Sequence, residues 1–136
     1  MKLLPWISFH HDLQLMIARP RGILNEEKME QTVAMLREVE AKAEKPFNRY
    51  SDFSKLDAID MSLPSIIRLS LERRTVYAKQ PPVRSAFLVT SPAAARVVKA
   101  HALLTGHSPL QVKMFKDVEA AAKWLGVSTE DLELGA

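Results

Sequence analysis

The 136-residue chain is predicted to form a single α/β domain in which a mixed, mostly parallel β-sheet of about five strands is covered by four helices. Apolar residues recur at helical spacing in several segments, and short apolar runs that are typical of strands stand between them. Strands that alternate with helices form parallel sheets, so the predicted order is β-β-α-β-α-β-α-β-α. The domain is expected to span residues 1–136, with its core at about 6–126 and an acidic tail at 127–136.

Two short strands at the start of the chain are expected to form a hairpin. Apolar and polar residues alternate within residues 6–18, and His10-His11-Asp12 supplies a polar turn. Pro20-Arg21-Gly22 then breaks the second strand. Asn25 is the predicted N-cap of the first helix, because two glutamates follow it where the helix dipole favours negative charge. That helix is expected to continue to about residue 44.

The middle of the chain predicts a strand, a helix and another strand. Residues 47–53 are aromatic and extended in character, as in a strand. The segment from Ser62 to about Lys79 is rich in apolar residues and predicts a helix that Pro81-Pro82 stops. Residues 86–90 form a continuous apolar run, which is expected of a strand covered on both faces.

The last third of the chain predicts two more helices around one strand. Ser91-Pro92 is a helix start, with a capping serine before proline at the first helical position. Residues 111–115 are the last predicted strand. Asp117 is expected to cap a short fourth helix that ends at Gly126. The tail after it is expected to be either frayed or one extra turn.

Composition narrows the classes of function. The net charge of +3 does not indicate nucleic-acid binding, because basic and acidic residues are interleaved. A solvated helix face explains the densest basic cluster, Arg68, Arg73 and Arg74, as well as a phosphate site does. The chain has no cysteine, which excludes disulfides and thiol catalysis. Its apolar runs are too short for a signal peptide or a membrane span, so the cytoplasm is the expected compartment.

No motif in the chain predicts an enzyme. The G-x-S-x-G, P-loop and G-x-G-x-x-G patterns are absent. His10 and His11 point to opposite faces of an extended chain, so they cannot readily chelate one metal ion. His101 and His107 are six residues apart, which is the wrong spacing for one helix face. We therefore expect no metal and no other cofactor. The alternative is a small α/β enzyme whose acid–base residues come together only in the folded chain.

Three stretches, in one order over about residues 13–126, together resemble a known family. They are Arg21-Gly22-Ile23-Leu24-Asn25-Glu26 after a strand, Ser91-Pro92-Ala93-Ala94-Ala95-Arg96-Val97 after an apolar strand, and the run from Val112 to Ala121 that leads to Trp124-Leu125. The first two resemble the entries to the first and third helices of STAS domains, the family of sulfate transporters and anti-sigma-factor antagonists. The third resembles the last strand and helix of the SpoIIAA-like branch.

The resemblance also implies a functional turn. In the family, an Asp-Ser-Ser/Thr-Gly turn leads into the second helix, and its second hydroxyl residue accepts phosphate from a partner kinase. The matching run here is Asp60-Met61-Ser62-Leu63, which makes Ser62 the candidate phosphoacceptor. Met61 and Leu63 depart from the family pattern, and the alternative is that Ser62 is a plain helix N-cap. The lead-in Asp52-Phe53-Ser54 resembles the family's Asp-Leu-Ser, and Arg68 completes the set of binding-turn candidates.

The sequence therefore predicts a non-enzymatic regulatory or binding module that acts near the strand-to-helix turn at residues 52–68. Its expected partner is a protein such as an anti-sigma factor or kinase, or a small anionic or lipid-like ligand. The topology is also similar to that of Sec14-type lipid carriers, so an apolar ligand held between helix and sheet is an alternative. A homodimer is compatible with this interpretation.

Overall fold

The computed structural model describes residues 2–134. The predicted domain also includes Met1, Gly135 and Ala136, which lie outside the described residues. In chain order the strands are β1 (Ile7–His10), β2 (Leu15–Ala18), β3 (Gly22–Asn25), β4 (Asn48–Asp52), β5 (Leu56–Asp60), β6 (Val83–Leu88) and β7 (Leu110–Phe115). The helices are α1 (Glu26–Lys42), α2 (Leu63–Tyr77), α3 (Pro92–Leu104), α4 (Val118–Leu125) and α5 (Thr129–Leu132).

The main sheet has five strands in the order β1-β2-β4-β6-β7. β1 and β2 form the predicted antiparallel hairpin, which a single 3-10 turn at His11–Leu13 closes. The other neighbours, β2 with β4, β4 with β6 and β6 with β7, are parallel. The helices that join the parallel pairs, α1 to α3, cover one face of the sheet, and α4 and α5 cover the other. The predicted mixed, mostly parallel sheet is confirmed.

Side chains alternate between the two faces of this sheet and define two layers of helices. Leu15 and Ile17 of β2 and Tyr50 of β4 belong to the buried cluster that packs against α4 and α5. Met16 and Ala18 of β2 point to the opposite face and pack with Val39 of α1. Since successive strand residues face opposite sides, β2 has apolar residues at all four positions and is buried on both faces.

Two short strands were not expected from the sequence. β3 and β5 pair in parallel as a separate two-stranded sheet, with Asn25 opposite Asp60. β3 leads directly into α1, and β5 lies just before α2, so this small sheet sets the N-termini of both helices side by side. The two strands are four and five residues long and come from distant parts of the chain, so no local pattern announced their pairing.

Local capping signals, by contrast, correctly predicted where four of the helices begin. Asn25, Ser62, Ser91 and Asp117 are the N-caps of α1 to α4, and each accepts a hydrogen bond from the backbone N–H three residues later. Gly126 ends α4 in the left-handed conformation, with φ of 75°, where a side chain would be strained.

The tail adds a turn of helix that belongs to the core. Ser128 and Asp131 form a reciprocal capping box at the start of α5. Leu132 is only 1% exposed and lies in the cluster between the sheet and α4. The core therefore extends beyond the predicted limit at residue 126, because a single buried leucine in an acidic segment anchors the last turn.

Candidate functional site

Ser62 caps α2 and is also bonded to α1. Its Oγ accepts the backbone N–H of Ser65 at 3.3 Å. The same hydroxyl donates to Oε1 of Glu26 at 2.9 Å, and the backbone N–H of Ser62 donates to this oxygen at 3.2 Å. Ser65 Oγ donates to it as well, at 2.7 Å. These hydrogen bonds, that of Ser65 first and those of Ser62 next, lower the pKa of the Glu26 carboxyl.

Glu26 thus holds the place at the N-terminus of α2 that a phosphate would favour. Unpaired backbone N–H groups and the helix dipole attract an anion there, and the chain supplies its own carboxylate. A phosphate on Ser62 would bring up to about two negative charges against Glu26 and replace the hydroxyl donor with acceptors. The hydrogen bond from the Ser65 N–H to the Ser62 hydroxyl is the one expected of a helix N-cap. Phosphorylation of Ser62 stays a prediction.

Asp60 and Arg68 lie on either side of this contact. Arg68 is exposed, and its Nη2 pairs with Oε1 of Glu30 on α1 at 2.6 Å, which raises the pKa of Arg68. Asp60 is exposed at the end of β5, and no hydrogen bond or ion pair engages its carboxylate within residues 2–134. Ser62 and Arg68 therefore belong to the α1–α2 contact rather than to an open anion site.

Asp52 and Ser54 belong to a different place in the fold. Asp52 ends the central strand β4 and is buried, with its Oδ2 paired to Nη1 of Arg19 at 3.1 Å. Its Oδ1 accepts the backbone N–H of Ser54 at 2.9 Å and also the Ser54 hydroxyl. The interposed strand β5 separates this turn from Ser62 in the chain, so the predicted binding-turn residues divide into two groups.

A cavity of about 130 Å³ lies between the sheet and the helices α1, α2 and α3. Its walls are mainly apolar and include Met16, Met29, Met61, Ile66, Leu69 and Val98. Phe53, Met61 and Ile66 come from the predicted functional segment at 52–68. Methionine is flexible and polarizable, so three of these side chains can adapt to differently shaped contents.

Two buried arginines and one glutamate form a charged cluster at the wall of this cavity. Nη1 of Arg73 on α2 donates to both carboxylate oxygens of Glu40 on α1, at 3.0 and 3.2 Å. Nη2 of Arg49 on β4 donates to Glu40 at 3.3 Å, and its Nη1 donates to the Tyr77 hydroxyl. Two cations therefore share one carboxylate. Burial, the larger cause, lowers the pKa of Arg49 to about 10, which still leaves it charged at neutral pH.

Ser70 and His101 add a second polar pair to the cavity wall. Oγ of Ser70 on α2 lies 2.8 Å from Nδ1 of His101 on α3. Desolvation, and secondarily the positive charge of Arg73, lowers the pKa of His101 to about 4. The imidazole is therefore neutral at pH 7. The pair has the spacing of a nucleophile and a base, but so low a pKa makes His101 a weak base.

The buried cluster was hidden from sequence reasoning. Arg73 was grouped with Arg68 and Arg74 as a basic helix face, yet Arg73 is 4% exposed and points inward. The three arginines therefore do not share an open face. Arg49 lies in β4 on the face of the sheet that α1 to α3 cover. A charged residue within a predicted strand is the one local signal that marks it.

Within residues 2–134, no group of three or more His, Asp or Glu side chains is placed to hold a metal ion. None of the helices in this range combines the length and the apolar character that a membrane crossing requires.

Comparison with known proteins identifies the fold. No protein-family model matches the chain, and no curated protein matches it. A crystal structure of an uncharacterized protein of the DUF3478 family from Shewanella loihica PV-4, described as having a SpoIIAA-like fold, is similar with a TM-score of 0.57. The two are 21% identical over 88% of this chain and 90% of that chain. The chain therefore has the SpoIIAA-like fold that its sequence resembles.

Proposed function

We propose that the protein is a non-enzymatic binding module that takes a small, largely apolar ligand into the cavity between the sheet and α1–α3. The observation that carries this proposal is the cavity itself, at about 130 Å³. An apolar cavity of about 150 Å³ in another protein is large enough to bind benzene. The ligand would contact Phe53, Met61 and Ile66, which agrees with ligand binding near the turn at 52–68.

A ligand that fills this partly open cavity would cover the apolar side chains of its walls and would stabilise the folded chain by mass action.

A cavity-filling substitution tests the proposal. Val97 lines the cavity, so Val97→Phe should abolish binding of benzene-sized compounds, as followed by ¹H–¹⁵N NMR titration. The matched control is Val76→Phe on α2, since Val76 is 43% exposed and does not line this cavity. Native mass spectrometry of the purified protein would identify any ligand that it carries. Binding that survives in Val97→Phe, or no binding to the wild-type protein, would refute the proposal.

A regulatory role through a protein partner is a second candidate, favoured by an exposed apolar stripe on α2. Leu63, Ile67 and Leu71 recur every four residues beside Ser62, with exposed fractions of 61%, 36% and 43%. An anti-sigma kinase would approach Ser62 across this stripe. Incubation with such kinases and ATP, followed by mass spectrometry, tests the idea: phosphate at another residue, or none, removes Ser62 as the acceptor.

The same stripe is the surface through which a homodimer would form. Light scattering on the wild-type protein and on Ile67→Glu would then give different masses, because a charge at the centre of an apolar interface disrupts it. Equal monomer masses for both proteins would exclude the dimer.

An enzymatic role has one observation in its favour, the Ser70–His101 pair. If Ser70 were a nucleophile, the wild-type protein would hydrolyse an activated ester such as p-nitrophenyl acetate, and Ser70→Ala would not. Equal rates for the two proteins would support a binding module. The low pKa of His101, at about 4, is the reason that we favour this outcome.

A further inference from the structure

Positive charge exceeds negative charge in the buried cluster beside the cavity. Arg49 and Arg73 are 6% and 4% exposed, and Glu40 is the one carboxylate with which either forms an ion pair within residues 2–134. A buried cation without full compensation is costly, because the protein interior cannot replace its lost hydration. One additional negative charge would therefore neutralise the cluster.

One edge of the Arg73 guanidinium group makes no hydrogen bond within the described residues. Its Nη1 is used by Glu40, whereas Nε and Nη2 have no hydrogen-bond partner in the part of the chain that the structure describes. In a planar guanidinium, Nε–H and the adjacent Nη2–H point the same way and match the two oxygens of a carboxylate. Arg73 lines the cavity, and its Nε and Nη2 are buried in the cavity wall, so a carboxylate reaches this edge when the neighbouring side chains of the wall move aside.

We propose that the ligand of this cavity is a small monocarboxylic acid, with its carboxylate held by the Nε and Nη2 edge of Arg73 and its apolar body between the sheet and α1–α3. This assignment rests on the proposed function. The cavity of about 130 Å³ limits the body to about the size of a benzene ring, so benzoate is a suitable probe. A single negative charge balances the cluster of Arg49, Arg73 and Glu40.

A phosphate ester fits this site less well. It carries about −1.5 to −2 charges at neutral pH, which would leave the buried cluster negative instead of balanced. The neighbouring His101 is neutral at pH 7 and does not supply a further cation. The charge balance therefore distinguishes a carboxylate from a phosphate, and the two can be compared directly as benzoate and phenyl phosphate.

The test is an NMR titration of the full chain at pH 7 with sodium benzoate, benzyl alcohol and phenyl phosphate. Benzoate should bind at least about tenfold more tightly than benzyl alcohol, which has the same ring and no charge. It should also bind more tightly than phenyl phosphate and shift the Arg73 Nε–H resonance. Arg73→Met should remove the advantage of benzoate while benzyl alcohol still binds.

Arg37→Met is the matched control, since Arg37 pairs with Glu72 at the surface and does not line this cavity. It should change neither affinity. If benzyl alcohol binds as tightly as benzoate, or if Arg73→Met leaves benzoate binding intact, the carboxylate assignment is overturned while the cavity remains a binding site. If neither compound binds the wild-type protein, the proposed function fails as well. Should Arg73→Met not fold, the wild-type comparison of the three probes decides alone.

Discussion

Removal of the Glu40 carboxylate should destabilise the protein more than removal of either arginine that it pairs with. Glu40→Gln keeps the size of the side chain but leaves Arg49 and Arg73 as two buried cations without a counter-charge. Breaking a buried ion pair from one side costs about 3–5 kcal/mol. The side chain of Glu40 is 18% exposed, so we expect a loss of about 3 kcal/mol, at the lower end of that range.

Two variants calibrate this value in urea or guanidinium unfolding at pH 7. Arg73→Met leaves Glu40 and Arg49 as a one-to-one pair and an apolar side chain of similar length, so it should cost clearly less than Glu40→Gln. Glu72→Gln removes one partner of an ion pair whose side chains are 42% and 33% exposed, and it should cost less than about 1 kcal/mol. A loss for Arg73→Met that equals or exceeds that for Glu40→Gln would refute the idea that the cluster carries excess positive charge.

Three other perturbations report on the pH response, the cap and the tail. Because the pKa of His101 is about 4 in the folded protein and about 6.5 when unfolded, the unfolded chain takes up a proton first as the pH falls. Stability should therefore drop between pH 6.5 and pH 4, by at most about 3 kcal/mol, and unfolding curves of His101→Gln should lack this component. Ser62→Ala should cost about 1 kcal/mol as a lost N-cap. Ser62→Asp keeps a capping oxygen but opposes Glu26, so adding Glu26→Gln to it should restore thermal stability; no recovery would contradict the contact. Leu132→Ala should cost about 3–5 kcal/mol, whereas Leu134→Ala, at a position 46% exposed, should cost less than about 1 kcal/mol in the same unfolding assay.

The sequence predicted the features that depend on neighbours in the chain. Asn25, Ser91 and Asp117 were recognised as N-caps because a cap is a local pattern of one polar residue before a helical segment. The short apolar runs at residues 86–90 and 111–115 likewise predicted strands, and these runs overlap β6 and β7. The resemblance to the SpoIIAA-like branch predicted the fold. It also placed Ser62 at the turn before α2, but it did not predict the hydrogen bond between Ser62 and Glu26.

The features that sequence reasoning missed depend on residues that are far apart in the chain. β3 and β5 pair across more than thirty residues, from Asn25 to Asp60. Arg49, Glu40 and Arg73 meet only because β4, α1 and α2 pack together. Neither event has a local pattern, and hydrophobic periodicity predicts that a residue is buried rather than which residue it contacts. The cavity could not be predicted for the same reason, because each apolar residue that lines it has the sequence pattern of an ordinary core residue.

The two candidate functions share the contact between α1 and α2. Polar pairs join these helices along their length: Glu26 with Ser62, Glu30 with Arg68, Arg37 with Glu72, and Glu40 with Arg73. The separation along the chain stays between 33 and 38 residues, so the helices run in the same direction and four side-chain pairs bridge them. Side chains from both helices line the cavity. A phosphate at Ser62 would break the first of these pairs and a carboxylate at Arg73 would bind a residue of the last, so both proposed events would act on the same pair of helices from opposite ends.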